Sequence, residues 1–521
     1  MNHLRFLSEA LVLLSVLGCS APVEETQPGT LPVTGTWVNF AYKDVRNKYT
    51  NPLDADMTDP ALWRAKVGEL HTMGMEVLVL MEVANDELSF YPSSVMEPAY
   101  DTSRECPVEA VLDEAAKYGM KVFMSTGWAR NQDDDLRDPW VQERQQKIME
   151  ELTALYGDKP SFYGWYLPVE DCIAPVFPRS AVDAVNRLVA RARELTPDKK
   201  TLISPYGMVY GNFSNPEMAR NIRSLKVDII AYQDEIGCVR EPYPLPRLLG
   251  NWLELAKIHK DSGIEMWANC ETFTWEAGTN DRTSALIPAA YERLLQQQII
   301  ASKAGVGRIL SFMFPGIIED PGSEFPLGQP EFSNALWRDY MAWLGGDEGW
   351  LLTESVLSGE AVSADFEAVG YPALSDGVYA ELRPDADGWV RLEPGEYEIT
   401  LTFPEALVLR DVVVRCLDCG PAGVLAPSTL ELCLPDGTVL SQLNSVTWPS
   451  KRHDTWADCL VLSCPGSSGK TAQNVDESGY SIPSSGKTAQ NVDESPLESV
   501  VLKLSCPSQV YIDEILVNCN F

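Results

Sequence analysis

Phe162-Tyr-Gly-Trp-Tyr-Leu-Pro-Val-Glu170 is a short apolar segment that ends in a carboxylate, and Glu265-Met-Trp-Ala-Asn-Cys-Glu271 is a second segment of the same kind. The length and composition of each segment favour a buried strand of a parallel sheet. If both are strands of one parallel barrel, Glu170 and Glu271 reach the single face where such barrels carry out chemistry. The two carboxyl groups are therefore the first candidates for a catalytic pair.

Six further strand-like segments accompany these two, and longer segments with helical periodicity separate them. The eight predicted strands are 36–41, 76–82, 121–126, 162–169, 201–205, 227–233, 265–269 and 308–314. The first predicted helix begins at Asp59-Pro60 and stops at Gly74, which are typical residues for a helix start and end. Eight strand and helix units between residues 35 and 346 predict an α/β fold, the (β/α)8 TIM barrel.

The last third of the chain changes to a period of two. Segments such as Tyr397-Glu-Ile-Thr-Leu-Thr-Phe403 and Val510-Tyr-Ile-Asp-Glu-Ile-Leu-Val517 are separated by turn residues, which predicts a β-sandwich over 367–521 after a linker over 347–366. The polar sequence at 467–478 is repeated identically at 484–495. Because such a duplication cannot bury a core, we expect a disordered insertion over 467–495 without chemistry.

The N-terminus predicts export. A short cationic start is followed by an apolar stretch that is too short to span a bilayer stably, so residues 1–19 are interpreted as a signal peptide. Its end, Val16-Leu-Gly-Cys19, resembles the lipobox of bacterial lipoproteins, which implies that Cys19 is acylated; simple cleavage or an uncleaved start are the alternatives. Residues 20–34 are rich in Pro, Glu and Thr and are expected to form a flexible tether.

Composition narrows the class of partner. The chain has 521 residues, is 45% apolar and has a formal net charge of -34, so it can bury a large core but repels phosphate backbones. Nucleic acid is therefore not an expected partner.

Eleven of the 12 cysteines lie beyond Cys19, and in an exported protein they can form disulfides or remain as buried thiols. Cys416-Leu-Asp-Cys419 has the spacing of a zinc or redox dithiol, but no second ligand pair follows it.

The predicted strand ends carry acids and aromatic residues. Glu170 follows an apolar approach, which favours a general acid that later acts as base, and Glu271 is then the nucleophile. Carboxyl groups on the fourth and seventh strands can approach to the ~5 Å that retaining glycosidases use. The other predicted substrate-binding residues are Asp234, Glu235, Trp128, Tyr206, Glu82, Asn39 and Trp275. Asp234 or Glu235 can also be the second catalytic carboxylate, and each glutamate can instead cap a loop or pair with an arginine.

Only four histidines occur, and none follows a predicted strand. This weakens a Ser-His-Asp hydrolase and a His-ligated metal hydrolase, because both need an imidazole beside the reacting atoms. A hard-cation site at Glu82, Asp171, Asp234 and Glu235 stays open as an alternative. We nevertheless expect no catalytic metal and no cofactor.

Three sequences then resemble a family of secreted bacterial lipoproteins of unknown activity with a glycosidase-like barrel. They are Gly164-Trp-Tyr-Leu-Pro-Val-Glu170, Ala231-Tyr-Gln-Asp-Glu-Ile-Gly237 and Met266-Trp-Ala-Asn-Cys-Glu271. The resemblance implies a barrel that acts on carbohydrate. The placement of the two glutamates also resembles the retaining glycosidases with acid/base on strand four and nucleophile on strand seven, although Val169 stands where that clan usually has Asn.

The C-terminal part is similar to galactose-binding-like modules of the discoidin type. The residues that carry this similarity are Leu374-Ser-Asp-Gly377, Trp389, Tyr397–Leu401, Pro435-Asp-Gly437 and Tyr511-Ile-Asp-Glu-Ile515. It implies a module that binds glycans or covers the barrel, with a structural calcium ion as an option.

Two hypotheses follow from the sequence. The first is a lipid-anchored glycoside hydrolase at the outer membrane, periplasm or cell surface, whose substrate is a carbohydrate. The second is a surface lipoprotein that binds carbohydrate without cleaving it. The sugar, the linkage and the oligomeric state are set by loop shape and surface detail that the sequence does not reveal.

Overall fold

The computed structural model describes residues 29–41, 55–128, 130, 134–168, 172–238, 245–278, 283–445, 454–464 and 495–520. Four parts of the sequence-based prediction lie outside these residues: the export signal with Cys19, most of the tether, Glu170 with Asp171, and nearly all of the duplicated insertion.

The N-terminal two thirds alternate strands and helices. The strands are β1 (Val33–Val38), β2 (Val77–Leu80), β3 (Ala84–Asn85), β4 (Leu88–Ser89), β5 (Glu97–Pro98), β6 (Lys121–Ser125), β7 (Phe162–Tyr166), β8 (Lys200–Ile203), β9 (Ile229–Gln233), β10 (Glu265–Glu271), β11 (Phe273–Trp275), β12 (Leu286–Pro288) and β13 (Ile309–Phe312). The helices are α1 (Pro60–Thr72), α2 (Pro107–Lys117), α3 (Pro139–Tyr156), α4 (Arg179–Leu195), α5 (Pro216–Arg223), α6 (Leu245–His259), α7 (Tyr291–Lys303), α8 (Pro330–Leu344) and α9 (Glu348–Ser358).

Eight of these strands close into a parallel barrel in the order β1-β13-β10-β9-β8-β7-β6-β2. The predicted (β/α)8 barrel is therefore confirmed. Its strands are buried on both faces, which is why they read as continuous apolar runs such as Val77-Leu-Val-Leu80. The lumen is filled by one cluster of large side chains, whose members include Trp37, Val79, Phe123, Tyr166, Trp267 and Leu310.

The C-terminal region is built from antiparallel strands: β14 (Glu367–Ala368), β15 (Val390–Leu392), β16 (Gly395–Leu407), β17 (Asp411–Cys419), β18 (Thr429–Cys433), β19 (Val439–Asn444), β20 (Thr455–Ser463), β21 (Leu497–Cys506) and β22 (Val510–Val517). They form a five-stranded sheet, β14-β16-β21-β18-β19, and a four-stranded sheet, β15-β22-β17-β20. Residues of both sheets share one buried cluster, including Ile399, Leu502, Val414 and Ile512. The two sheets therefore pack face to face as a sandwich.

Helix α9 lies within the segment that the sequence predicts as a linker. Asp347 caps its start through bonds to Gly349 and Trp350, and Gly359 ends it in the left-handed conformation. Leu352 and Val356 of α9 pack against the sandwich. Tertiary packing thus stabilises a helix of three turns that is short on its own.

The barrel and the sandwich also meet at α7 and β20. The Gln296 amide donates to the Ala457 carbonyl at 3.2 Å and accepts from the Ala457 amide at 3.4 Å. Trp456 is fully buried and belongs to the same apolar cluster as the outer layer of the barrel. The sandwich is therefore packed directly against the helix that follows β10 and its hairpin.

Candidate active site

Glu271 is the last residue of β10, the seventh strand of the barrel. Side chains alternate along a strand, so Glu271 lies on the same side as Trp267, which fills the lumen, and Asn269, which accepts a hydrogen bond from Trp37. Glu271 is only 5% exposed. The strand therefore places this carboxyl group at the C-terminal end of the lumen, where a TIM barrel has its active site.

Cys238 holds the Glu271 carboxylate. Its backbone amide donates to Oε2 at 2.8 Å and its thiol donates to Oε1 at 3.2 Å. Gly237 makes this close approach feasible, because a Cβ at that position would lie 2.9 Å from Glu271 Oε2 and 2.5 Å from the Phe273 carbonyl. The segment after β9 thus binds the carboxyl group of Glu271 at the end of β10.

Asp234 and Glu235 follow β9 directly, and both are buried. Asp234 faces the helical layer, where its Oδ2 accepts a bond from Gln297 at 2.5 Å and its Oδ1 accepts one from the Glu271 amide at 3.1 Å. Glu235 Oε2 accepts bonds from the amides of Gly207 and Val209 at 2.9 and 3.1 Å. Both carboxylates therefore accept hydrogen bonds from protein groups, and these bonds stabilise the C-terminal end of the barrel.

Burial makes these acids hard to ionise. Burial, followed by the neighbouring charges of Asp234 and Glu235, raises the pKa of Glu271, and the bonds from Cys238 lower it, so that the net pKa is about 8. Burial also raises the pKa of Asp234 and of Glu235. Like charges in a low dielectric oppose one another, and Glu271 therefore holds its proton near neutral pH. Such shifts are typical of functional sites.

Glu82 and Asn39 lie together at the ends of the first two barrel strands, and both are fully buried. Glu82 Oε1 accepts bonds from the amides of Phe40 and Ala41 at 2.6 and 2.7 Å. The Asn39 amide nitrogen lies 3.5 Å from Met81 Sδ. Trp128 is 3% exposed and belongs to the lumen cluster.

Tyr206 and Trp275 do not belong to the lumen cluster. Tyr206 is 39% exposed and forms a parallel bridge with Cys172. Trp275 is in the hairpin of β11 and β12, where it pairs with Leu286 and is 8% exposed. Glu170 lies outside the described residues, four positions after Tyr166, whose ring lies in the lumen cluster.

Sequence reasoning missed Arg293 and Gln297, which lie on α7 beneath the acids. The fully buried Arg293 donates to the Glu271 carbonyl at 2.7 Å, and Gln297 donates to the same carbonyl at 3.2 Å. A signal was present, since polar residues at i and i+4 share one face of a helix. That signal is masked because α7 is buried on nearly every side.

Within the part of the chain that the structure describes, no group of three or more His, Cys, Asp or Glu side chains is arranged to hold a metal ion. Across the same residues, none of the helices has the length and apolar character needed to cross a membrane.

Eight parallel strands that close into a barrel define a TIM barrel, and buried carboxyl groups lie at the C-terminal ends of its strands. The chain belongs to the family described as a domain of unknown function, DUF4434, whose model matches residues 33–324. No curated protein matches the chain.

Several solved structures are similar to the chain. One is described as "a putative alpha-L-fucosidase" from Bacteroides thetaiotaomicron VPI-5482, with 19% identity, a TM-score of 0.48, and coverage of 64% of this chain and 99% of that one. Another is the GH99 endo-alpha-mannosidase of Bacteroides thetaiotaomicron, with 13% identity, a TM-score of 0.37, and coverage of 61% and 98%. A third is Bacteroides uniformis beta-glucuronidase, with 10% identity, a TM-score of 0.39, and coverage of 83% and 46%. Identities this low transfer no substrate to this chain.

Proposed function

We propose that this protein is a glycoside hydrolase whose two catalytic carboxyl groups are those of Glu170, which follows β7, and Glu271, which ends β10. One observation carries the proposal: Glu271 is a buried, lumen-side acid with a raised pKa at the face where this fold carries out chemistry. Its substrate class is carbohydrate.

The proposed reaction follows the retaining course. One carboxylic acid protonates the glycosidic oxygen while the other carboxylate attacks the anomeric carbon, so the bond to the leaving group breaks as a glycosyl ester forms. Water then attacks that ester, and the first carboxylate takes the proton from the water. No metal or cofactor is needed in this sequence of steps.

The roles of the two glutamates depend on their protonation. The sequence assigns the nucleophile to Glu271, but a pKa of about 8 keeps most of this carboxyl group protonated at neutral pH in the substrate-free protein. That is the state of a general acid. We therefore assign proton donation to Glu271 and nucleophilic attack to Glu170, and the reverse assignment requires that bound substrate lowers the pKa of Glu271.

A glycan-panel digestion tests the proposal, with released sugars detected by mass. We expect the native protein to cleave at least one glycan, and Glu170→Gln and Glu271→Gln to lower kcat by about 10²- to 10⁴-fold. The matched control is Glu265→Gln, because Glu265 lies on the same strand as Glu271 but is exposed at the opposite end. Native-like cleavage by both site variants would exclude the proposed pair.

Substrates with an activated leaving group separate the two roles. A variant that lacks the general acid still cleaves an aryl glycoside whose phenolate leaves without a proton, and added azide restores its turnover. A variant that lacks the nucleophile cleaves neither kind of substrate unaided, and azide that replaces the nucleophile gives a glycosyl azide of inverted anomeric configuration. Azide rescue of Glu271→Gln with retained configuration supports the assignment from the pKa, whereas azide rescue of Glu170→Gln with retained configuration supports the assignment from the sequence.

A specific observation favours a second candidate function, carbohydrate binding without cleavage. Both oxygens of Glu271 already accept bonds from Cys238, and the residue is 5% exposed. If the native protein cleaves no glycan of a broad panel but still binds glycan, this second function is favoured.

A further inference from the structure

Arg293 lies at the centre of the bonds that fix the end of β10. Its guanidinium is fully buried, and its Nη2 donates to the carbonyls of Glu271 and Phe273 at 2.7 and 2.9 Å. Its Nη1 donates to the Ile236 carbonyl at 3.3 Å. One side chain of α7 therefore joins the segment that carries Glu271 to the segment that leads into Cys238.

The backbone of Glu271 is held from both sides. Asp234 accepts a bond from its amide at 3.1 Å, while Arg293 and Gln297 donate to its carbonyl at 2.7 and 3.2 Å. Because Cys238 holds the side-chain carboxylate, little freedom remains for this residue. Displacement of Arg293 would therefore move both Glu271 and the segment with Cys238 that binds its carboxyl group.

The sandwich reaches this arrangement through Asp454. Its Oδ2 lies 3.5 Å from Arg293 Nη1, and both side chains are fully buried. The bonds between Gln296 and Ala457 fix the start of β20 against α7, so the aspartate is held in register with the arginine. A buried ion pair of this kind places a charge of the sandwich beneath the end of β10.

We propose that Asp454 of the sandwich is a positioning residue for Glu271 and acts through Arg293. This inference rests on the proposed catalytic role of Glu271. It makes the sandwich part of the construction of the active site, in addition to any glycan that the sandwich binds. Asp454 touches no reacting atom; it balances the charge and fixes the orientation of the guanidinium that does contact the Glu271 backbone.

The charges around Glu271 decide the direction of the expected effect. Among the described residues, the charged and titratable groups with the largest interactions with Glu271 include Asp234, Glu235, Cys238, Cys270 and Arg293. Arg293 is the single cation of this set. Removal of the Asp454 charge leaves the positive potential of Arg293 less balanced, so the ionised form of Glu271 becomes more favourable.

Asp454→Asn in the full chain tests the inference with two measurements. We expect the limb of the pH profile of kcat/KM that depends on Glu271 to move to lower pH by about 0.5 to 1 unit. The second measurement needs no substrate. The change in urea midpoint caused by Glu271→Gln is measured at several pH values, once in the native background and once in the Asp454→Asn background. The pH at which this change occurs should be lower in the Asp454→Asn background by a similar amount.

Asp513→Asn is the matched control. Asp513 forms another buried ion pair of the sandwich, with Arg415, so its neutralisation destabilises the sandwich in a comparable way. It should leave both pH dependences of Glu271 at their native positions. An equal shift in Asp454→Asn and Asp513→Asn, or no shift in either, would overturn the inference.

A double variant covers the case in which Asp454→Asn does not fold. Asp454→Asn with Arg293→Gln removes both charges of the Asp454–Arg293 ion pair together. Loss of the nearer positive charge should then move the Glu271 transition to higher pH, and a transition at the native position would overturn the inference. If no glycan is cleaved but the stability measurement shifts as expected, the proposed function fails while the action of Asp454 on Glu271 stands.

Discussion

Glu271 makes native stability depend on pH. The raised pKa, about 8 against an ordinary value of 4.5, means that the folded state holds this proton more tightly than the unfolded state does. Stability therefore falls as pH rises from about 4.5 to about 8. Glu271→Gln removes this ionisation, so the stability of the variant relative to the native protein should rise by about 3–4 kcal/mol from pH 5 to pH 8.

Urea unfolding at several pH values checks this expectation. Glu265→Gln serves as the control, because Glu265 lies on the same strand as Glu271 but is exposed at the opposite end. A stability difference between Glu271→Gln and the native protein that is constant with pH would contradict a raised pKa at Glu271.

Single residues also show what the sequence could not predict. The apolar run up to Gln233 indicates a strand, but it does not say that Asp234 turns to the helical layer and bonds to Gln297. The direction in which a side chain points after the end of a strand depends on the local backbone geometry. The contact of Arg293 with Glu271 is likewise invisible, because the two residues are 22 positions apart on different elements.

At the scale of one strand, Gly164 of β7 is required by close packing. A Cβ at this position would lie 2.6 Å from the Lys200 carbonyl and 2.6 Å from the Phe123 ring. The backbone oxygen of the neighbouring strand cannot move without breaking the ladder. Gly164→Ala should therefore lower the free energy of unfolding by about 1–3 kcal/mol, as measured by urea titration.

Gly250→Ala provides the comparison, since Gly250 lies within α6 and a Cβ there meets no atom within 4 Å. That substitution should raise stability by about 0.5–1 kcal/mol, because alanine loses less conformational entropy in a helix. Equal stability of the two variants would mean that β7 has room for a methyl group.

The sequence predicts elements best where burial on both faces leaves a continuous apolar run. Val77–Leu80 and Phe162–Tyr166 are such strands, and both lie within their predicted segments. Helix α9 is absent from the prediction although Asp347 and Gly359 mark its ends, because Leu352 and Val356 pack on the sandwich and the sequence does not reveal that contact. Long-range packing, and not local propensity, decides this element.

At the scale of the whole molecule, the remaining prediction concerns attachment to a membrane. The sequence Val16-Leu-Gly-Cys19 after an apolar stretch predicts that Cys19 carries lipid and that the barrel follows a polar tether. In bacterial cells we expect the native protein in the membrane fraction, from which detergent releases it, and Cys19→Ser in the soluble exported fraction or uncleaved. Incorporation of labelled fatty acid into the native protein alone is the direct measurement. A net charge of -34 disfavours adsorption of the protein to anionic lipid. If Cys19→Ser still associates with the membrane after its signal peptide has been removed, the protein has an anchor other than Cys19, and the prediction is wrong.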